Sequence, residues 1–571
     1  TKALPPKPPD RDPGPAADRA ADPADRETAE LALPEPPAGR SRGAIAVTML
    51  LIGLFVGIGL FAAWTVTPGP DEEALARPEG ADVVVAGGRP SSWDPVAVSD
   101  GTSAQVLSQV FEGLTVLDAR SRIQPALARA WQVEDGGRRL VFELREGLTF
   151  SDGTELRAED VRRSWLRIID PAAPSPLSSL LDGVVGAAAY ARGEGSEQDV
   201  GLHAEGNTLT VELDSAASYF PAVAASATLA VVPPGIDGQA LGPDEVGDGG
   251  FVASGAYVPV GQQADRIDLE RNERYWSGPA PIGRVTIVTD DGGRSEVDNF
   301  EDGAVDWTRI FTSDASWIRY DRYLGPQLRH TDEMAVELLG FDTGEPPFDD
   351  PAVRRAVAMA VDWRNLAEID GTDQAPLTSI VPPGVVGRGD GDYLLAHDPE
   401  AARAELAAAG YPGGAGFPVV SLATYGVGRS EAIAAELAAE LGIEVEVENR
   451  GFDEHGLLLE RDTPDMWTLL WSADYPHAHD FLGLLLASDS SANFGAWHDP
   501  AYDALIEAAA ATGDVAEQER LYGEAQTVVR EAAPLIPLDY GESWWLSRDG
   551  LLGGQISGAG NVRYADLAWA E

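Results

Sequence analysis

The sequence predicts an α/β protein with at least two core-bearing units, standing behind a single membrane-spanning segment. Three observations predict it. The chain has 571 residues, more than one hydrophobic core organises. From Ala81 onward, short β-rich runs alternate with Ala- and Glu-rich helical runs, the mark of sheets covered by helices. Ahead of them, Gly43 to Val66 carries no charged residue and is long enough to cross a bilayer.

In chain order, residues 1–42 come first. They hold ten prolines and no apolar periodicity, so they form no stable helix and read as a disordered tail. Arg40 and Arg42 precede the apolar run of 43–66, and Asp71, Glu72 and Glu73 follow it. The positive-inside rule then puts the tail in the cytoplasm and the large C-terminal part outside. A rival reading is a cleaved signal peptide, since Ala74-Leu75-Ala76 has the small-x-small form of a cleavage site. That site lies well past the apolar run and behind three acids, so an uncleaved anchor is the expectation carried forward. Residues 67–80 read as a polar linker.

Beyond the linker, Asp82 to Ala86 is the first strand candidate. Leu140 to Leu144 and Leu209 to Leu213 follow Gly or Asn turn signals and read as strands. Pro351 to Val361 is a helix with Pro in its first turn. Pro399 to Ala409 and Ser430 to Leu441 are further helices, the second leading into a strand at Ile443 to Val447.

Charge and composition narrow the function. The formal net charge is −52, and only Lys2 and Lys7 are lysines. Nucleic acid is excluded as a partner, because phosphate contacts need basic patches. Such a surplus repels itself in dilute buffer and is screened by salt. Adaptation to salt and drift of composition explain it equally. There is no Cys, which excludes disulfides, thiolate metal sites, cysteine nucleophiles and a lipidated N-terminal Cys.

Five segments, in order, resemble a known family. The first runs through Val110-Phe111-Glu112-Gly113-Leu114, Gln124-Pro125-Ala126-Leu127-Ala128, Trp131, Phe142 to Phe150, Ser151-Asp152-Gly153-Thr154 and Ala158-Glu159-Asp160-Val161. The others are Leu269 to Asn272 with Tyr275-Trp276, Pro346 to Ala356 with Ala360-Val361-Asp362, Trp471 to Pro476, and Ala533 to Leu538. Together they are similar to the extracytoplasmic solute-binding proteins of family 5, which serve oligopeptide and dipeptide ABC importers. Two departures stand out: Ser254-Gly255-Ala256-Tyr257 lacks the family's Pro, and Asp342 replaces an Asn.

The resemblance implies a two-lobed clamshell of the type II, cluster C periplasmic-binding-protein fold, with an extra subdomain on the first lobe. It implies a first lobe over 81–306, a second over 307–540, and a return to the first over 541–571. The outward crossing is expected near Asp306 and the return near Tyr540. Ligand is expected between the lobes, with Asp474 pairing its ammonium group. A buried cation needs such a partner, or desolvation dominates. The bland alternative is that Asp474 caps a local turn. Trp471 and Tyr475 are expected to wall the cleft, with core packing as the alternative, and Trp93 to stand on a ligand loop. No cofactor is expected. His477 and His479 form an H-x-H, which reads as a loop pair rather than a metal site, and Asp390-Gly391-Asp392 breaks the calcium-loop pattern at Leu394.

The function implied is the substrate-binding component of an ABC importer. It would take a peptide or similar small solute and act as a monomer beside its permease, held at the cell membrane with its main domain extracytoplasmic. A membrane-anchored sensor on the same fold is the alternative, kept open by the Pro-rich tail. An enzyme is not expected. No Walker A lysine exists beyond Lys7, no H-E-x-x-H is present, and nothing selects a catalytic pair among the 93 acids.

Overall fold

In the computed structural model, the residues described are 82–235, 246, 250–290, 292–370, 376–425 and 429–570. The expected tail (1–42), membrane span (43–66) and linker (67–80) lie outside them. Among the described residues, no helix is long and apolar enough to cross a membrane.

One ten-stranded sheet runs through both lobes. Its strands, numbered in chain order, are β1 (Val83–Ala86), β2 (Tyr257–Gln262), β3 (Arg266–Arg271), β4 (Arg284–Val288), β5 (Trp307–Ile310), β6 (Leu328–Phe341), β7 (Val420–Thr424), β8 (Val445–Asn449), β9 (Met466–Ser472) and β10 (Leu535–Ser547). The spatial order is β8-β7-β9-β6-β10-β5-β1-β4-β3-β2. In β1, Val83 and Val85 point into the core, and the strand lies parallel to β4 from Val83↔Val285 to Ala86↔Val288. A separate four-stranded antiparallel sheet, Ala128–Glu134, Arg139–Leu144, Thr208–Glu212 and Leu202–Glu205, forms the extra subdomain. Phe142, Phe150, Trp165 and Phe220 fill its core.

Helix starts follow their local signals. Pro351–Ala360, Pro399–Ala408 and Pro500–Ala510 each begin at an Asp-Pro pair, where the Asp carboxylate accepts from a first-turn backbone N–H and Pro needs no such bond.

The two lobes are joined by β6 and β10, which run antiparallel through the middle of the sheet. Residues 328–332 of β6 face 542–546 of β10, on the side where β10 also pairs with β5. The far half of β6 faces 535–540 and, on its other edge, β9. Register shifts between Asp332 and Val336 and between Glu337 and Leu338 break this ladder where the lobes meet, as bulges do.

The outward crossing therefore falls in β6, later than the Asp306 expected. Residues 307–327 stay with the first lobe for a packing reason. Trp307 pairs with Val85 of β1, and Ile310, Ala315, Ile318 and Leu324 complete a core with Val297, Phe300, Val305 and Leu546. Tyr540, where the return was expected, lies in β10 opposite Val336.

Candidate functional site

The segment after β9 is built around one buried carboxylate. The helix Ala478–Leu486 starts at His477, whose Nδ1 accepts from the His479 backbone N–H at 3.2 Å. Asp480, fully buried in its first turn, accepts from Trp471 Nε1 at 2.7 Å and from the backbone N–H groups of Asp474 (3.0 Å) and Tyr475 (3.2 Å). Burial pushes its carboxyl well above the usual range, and these three donors work against that. Asp480 thus closes the turn that carries 472–476. Sequence reading missed it; an acid three residues after a helix-capping residue was the available signal.

Asp474 is left with an unspent carboxylate. Its side chain is exposed in the cleft, and among the described residues it makes no hydrogen bond or ion pair. The turn-capping role that rivalled its ligand role is filled by Asp480. The surrounding walls desolvate Asp474 and raise its pKa.

A cavity of about 460 Å³ opens before it. The second lobe lines it with Ser472 to Pro476, and the first with Val98 to Gly101, the extra subdomain with Ala225 to Thr228, and the C-terminal return with Ala559 and Asn561. A second cavity of about 460 Å³ lies in the first lobe, over Gly87, Gly88, Gln105, Trp307, Arg309 and Gly560. The two share Gly101, Ala104, Ala559 and Asn561 as common wall.

The other expected site residues fare differently. Tyr475 lines the first cavity but is only 6% exposed. It stacks on Tyr219 of the extra subdomain (5.2 Å, 6°), and its hydroxyl meets His479 Nδ1 at 3.0 Å. Trp471 stands one residue outside the cavity wall, half-buried against the second-lobe core, its indole N–H held by Asp480. Trp93 is 1% exposed in the core of the first lobe, against Phe251, with its N–H donated to Gln262 Oε1 at 2.8 Å. That burial corrects the expectation of a ligand loop. His477 and His479 are not loop residues either. Both rings are enclosed, and Tyr219 stacks on His479 at 4.0 Å. Desolvation pushes His477 down to about 4 and His479 to about 3. Among the described residues, no cluster of three or more metal-ligating side chains occurs.

Two α/β lobes, joined by a pair of crossing strands and enclosing a cavity, define a solute-binding protein of the two-lobed kind. Residues 122–493 match the model of the bacterial extracellular solute-binding proteins, family 5 (middle region), and the chain belongs to that family. It is a binding protein and not an enzyme, as its relatives are. It is 30% identical over 470 residues to the probable deoxycholate-binding periplasmic protein YgiS of Escherichia coli, covering 79% of this chain and 86% of that one. It is 24% identical over 496 residues to the oligopeptide-binding protein OppA of Bacillus subtilis, covering 83% and 90%. The fold matches the unliganded open form of the periplasmic murein tripeptide-binding protein MppA with a TM-score of 0.77 at 23% identity, over 87% of this chain and 98% of that one.

Proposed function

We propose that this protein is the substrate-binding component of an ABC importer, taking short peptides between its lobes and delivering them to a membrane permease. The observation that carries the reading is Asp474: a desolvated carboxylate without a partner among the described residues, facing the cavity from the second lobe. A ligand ammonium supplies the missing partner, and the walls that desolvate the carboxylate strengthen the pair. Tyr475 contributes wall area beside it. Trp471 acts through Asp480, fixing the turn without touching ligand.

In this reading residues 1–42 form a cytoplasmic tail, 43–66 the membrane anchor and 67–80 the linker that holds the lobes near the permease. The alternative, a sensor that signals through the tail, predicts that deleting 1–42 abolishes the response while leaving ligand affinity intact. A second ligand class is an amphipathic carboxylate, as the name of the E. coli relative suggests. Val98, Leu117, Leu177, Ala222 and Met334 on the cavity wall favour it.

The test is thermal unfolding of the full chain with a library of di- to pentapeptides, their N-acetylated copies and deoxycholate. Binding to the native state raises the midpoint by mass action. A rise with free peptides that disappears on acetylation supports the peptide reading. A rise with deoxycholate alone replaces it with the second.

A further inference from the structure

Among the described residues, every exposed Phe, Tyr or Trp side chain falls in one stretch of the first lobe. Phe311, Trp317, Tyr320 and Tyr323 lie between β5 and β6, with exposures from 42% for Tyr323 to 84% for Tyr320. The other large hydrophobics that are exposed, Val419, Leu457, Leu470, Val515 and Leu552, are spread along the chain and need no explanation. None of the four aromatics lines either cavity, so ligand capture does not account for them.

Local sequence explains the arrangement. The helix Thr312–Ile318 and the turn after it bury Ala315, Ile318 and Leu324 in a core with Phe300, Trp544 and Leu546. The aromatics fall at the same three-residue spacing in a different phase, so the packing that buries one set leaves the other outside. The surface is held in shape by its own acids. Trp317 Nε1 donates to Asp314 Oδ1 at 3.2 Å, and Asp321 Oδ1 accepts from the N–H groups of Tyr323 (2.7 Å) and Leu324 (2.9 Å). Both acids are half-buried, and the exposed ionic side chains of 311–330 are Arg322 and Arg329, with the His330 imidazole following. The Arg322 guanidinium lies 5.5 Å from the centre of the Tyr323 ring. In a chain of 93 acids and 41 bases, that is a local reversal of sign. Glu301, in the helix Glu296–Glu301, interacts with Asp321 and gives the patch an acidic border on that side.

We propose that this face of the first lobe is a membrane-contact surface: Phe311, Trp317, Tyr320 and Tyr323 settle at the headgroup level of a bilayer containing anionic phospholipid, and Arg322 and Arg329 meet its phosphates. Trp and Tyr rings, apolar with one polar edge, are at home at that depth, and each arginine near an anionic surface adds to the attraction. The charge pattern favours lipid over a protein partner. A chain of −52 is repelled as a whole by an anionic bilayer, and its aromatics are exposed where the local sign reverses. At physiological salt the Debye length is about 8 Å, so acids farther off are screened and the charges of the patch itself dominate. The inference rests on neither the peptide reading nor the anchor.

The experiment uses the full chain, which has no Cys, with one introduced beside Trp317 (S316C) or on the second lobe (V515C), both exposed positions, and labelled with a fluorophore. Liposomes of phosphatidylcholine, with or without phosphatidylglycerol, carry acyl chains brominated near the headgroup, which quench a fluorophore on contact. At about 0.15 M salt with phosphatidylglycerol, the label at 316 is expected to be quenched about fivefold more than the label at 515. W317S/Y320S should bring quenching at 316 down to the level at 515, with peptide binding unchanged. R322Q should raise the amount of phosphatidylglycerol liposome needed about fivefold and leave the response to phosphatidylcholine alone as it was. Equal quenching at the two positions overturns the inference, as does quenching at 316 that survives W317S/Y320S. Absence of quenching at 316 also overturns it and leaves the face to a protein partner. Melts of the unlabelled variants report folding separately, and should the double variant fail to fold, Y320S alone decides.

Discussion

The contrast between two carboxylates six residues apart can be tested directly. Asp480 serves three donors; among the described residues the Asp474 carboxylate serves none. D480A strands all three. The Tyr475 N–H is buried, and a stranded buried donor costs about 1–3 kcal/mol. The Trp471 and Asp474 donors are part-buried, and water reaching them reduces each loss to about 0.5–1 kcal/mol. Removing a carboxylate whose charge is itself disfavoured by burial returns part of the sum, leaving a loss of about 2–4 kcal/mol. Unfolding entropy of about 2.1 cal/mol/K per residue over the roughly 470 described residues converts this to a midpoint drop of about 2–4 °C. D474N should behave in the opposite way. The folded-state pKa of Asp474 is raised, so the native state holds its proton more tightly than the unfolded chain. Stability therefore falls as pH rises from the unfolded value through the raised one, and the whole cost is present at neutral pH. Asn removes that cost, so the midpoint of D474N at pH 7.5 should be unchanged or slightly higher, while discrimination between free and acetylated peptides disappears. Calorimetric melts of both variants, followed by peptide titration, make the measurement. A D474N midpoint depressed as far as that of D480A would sink the reasoning, because it would make Asp474 structural.

Three further outcomes are expected. His477 and His479 stay neutral in the fold down to about 4 and 3, whereas the unfolded chain protonates near 6.5, so stability is lost as pH falls below that value. Between pH 7.5 and 5 the loss is roughly 2 kcal/mol per ring. H477Q should recover about half of it, and equal pH slopes for H477Q and wild type would refute the assignment. G340A should destabilise by about 1–3 kcal/mol in urea melts, since a Cβ there would come within 2.1 Å of the Trp467 ring. Melting at 0.01 M salt should give a lower midpoint than at 1 M, because the charge of −52 is then unscreened. A midpoint independent of salt would mean the acidic surplus is no burden on the fold.

What the sequence revealed and what it hid follow from the range of the interactions. Asp-Pro helix starts and the alternation of Val83 and Val85 are decided by neighbours in the chain, and these elements lie within about two residues of where the pattern puts them. Trp93 looked like a cleft residue because its fate depends on Gln262 and Phe251, some 160 residues away. The crossing at β6 was misplaced because residues 307–327 join the first lobe through contacts the local sequence does not show, with Val85, Val297 and Phe300 upstream and with Trp544 and Leu546, which the chain supplies after its return. Asp474 was legible as a motif residue, but its availability was not, since that depends on Asp480 taking the local donors. Tyr219 carries no local signature at all and acquires its meaning from Tyr475 and His479, partners assembled across the fold.

Among the described residues, two contacts between the lobes bear on the cavity. One is the bulged pair β6 and β10, where Gly541 permits close passage: a Cβ there would come within 3.0 Å of the Ala335 Cβ. The other is the extra subdomain's contact with the second lobe. There Tyr219 stacks on Tyr475 and His479, Gln518 donates to the Ser218 hydroxyl at 2.9 Å, and the Ser218 N–H donates to the Ala510 carbonyl at 2.9 Å. Ring stacks are worth about 0.5–1.5 kcal/mol each, and neutral hydrogen bonds about the same. The contact is therefore worth a few kcal/mol, less than the roughly 8 kcal/mol released by a ligand bound at micromolar Kd. A motion about β6 and β10 must slide or break it, and a ligand that grips both lobes has enough differential free energy to do so. A much stronger contact would hold the lobes fixed whatever filled the cavity. The neutral histidines matter for the same reason: a charged His479 enclosed by Tyr219 and Tyr475 would weaken the contact, so its strength is kept constant throughout the pH range above about 4.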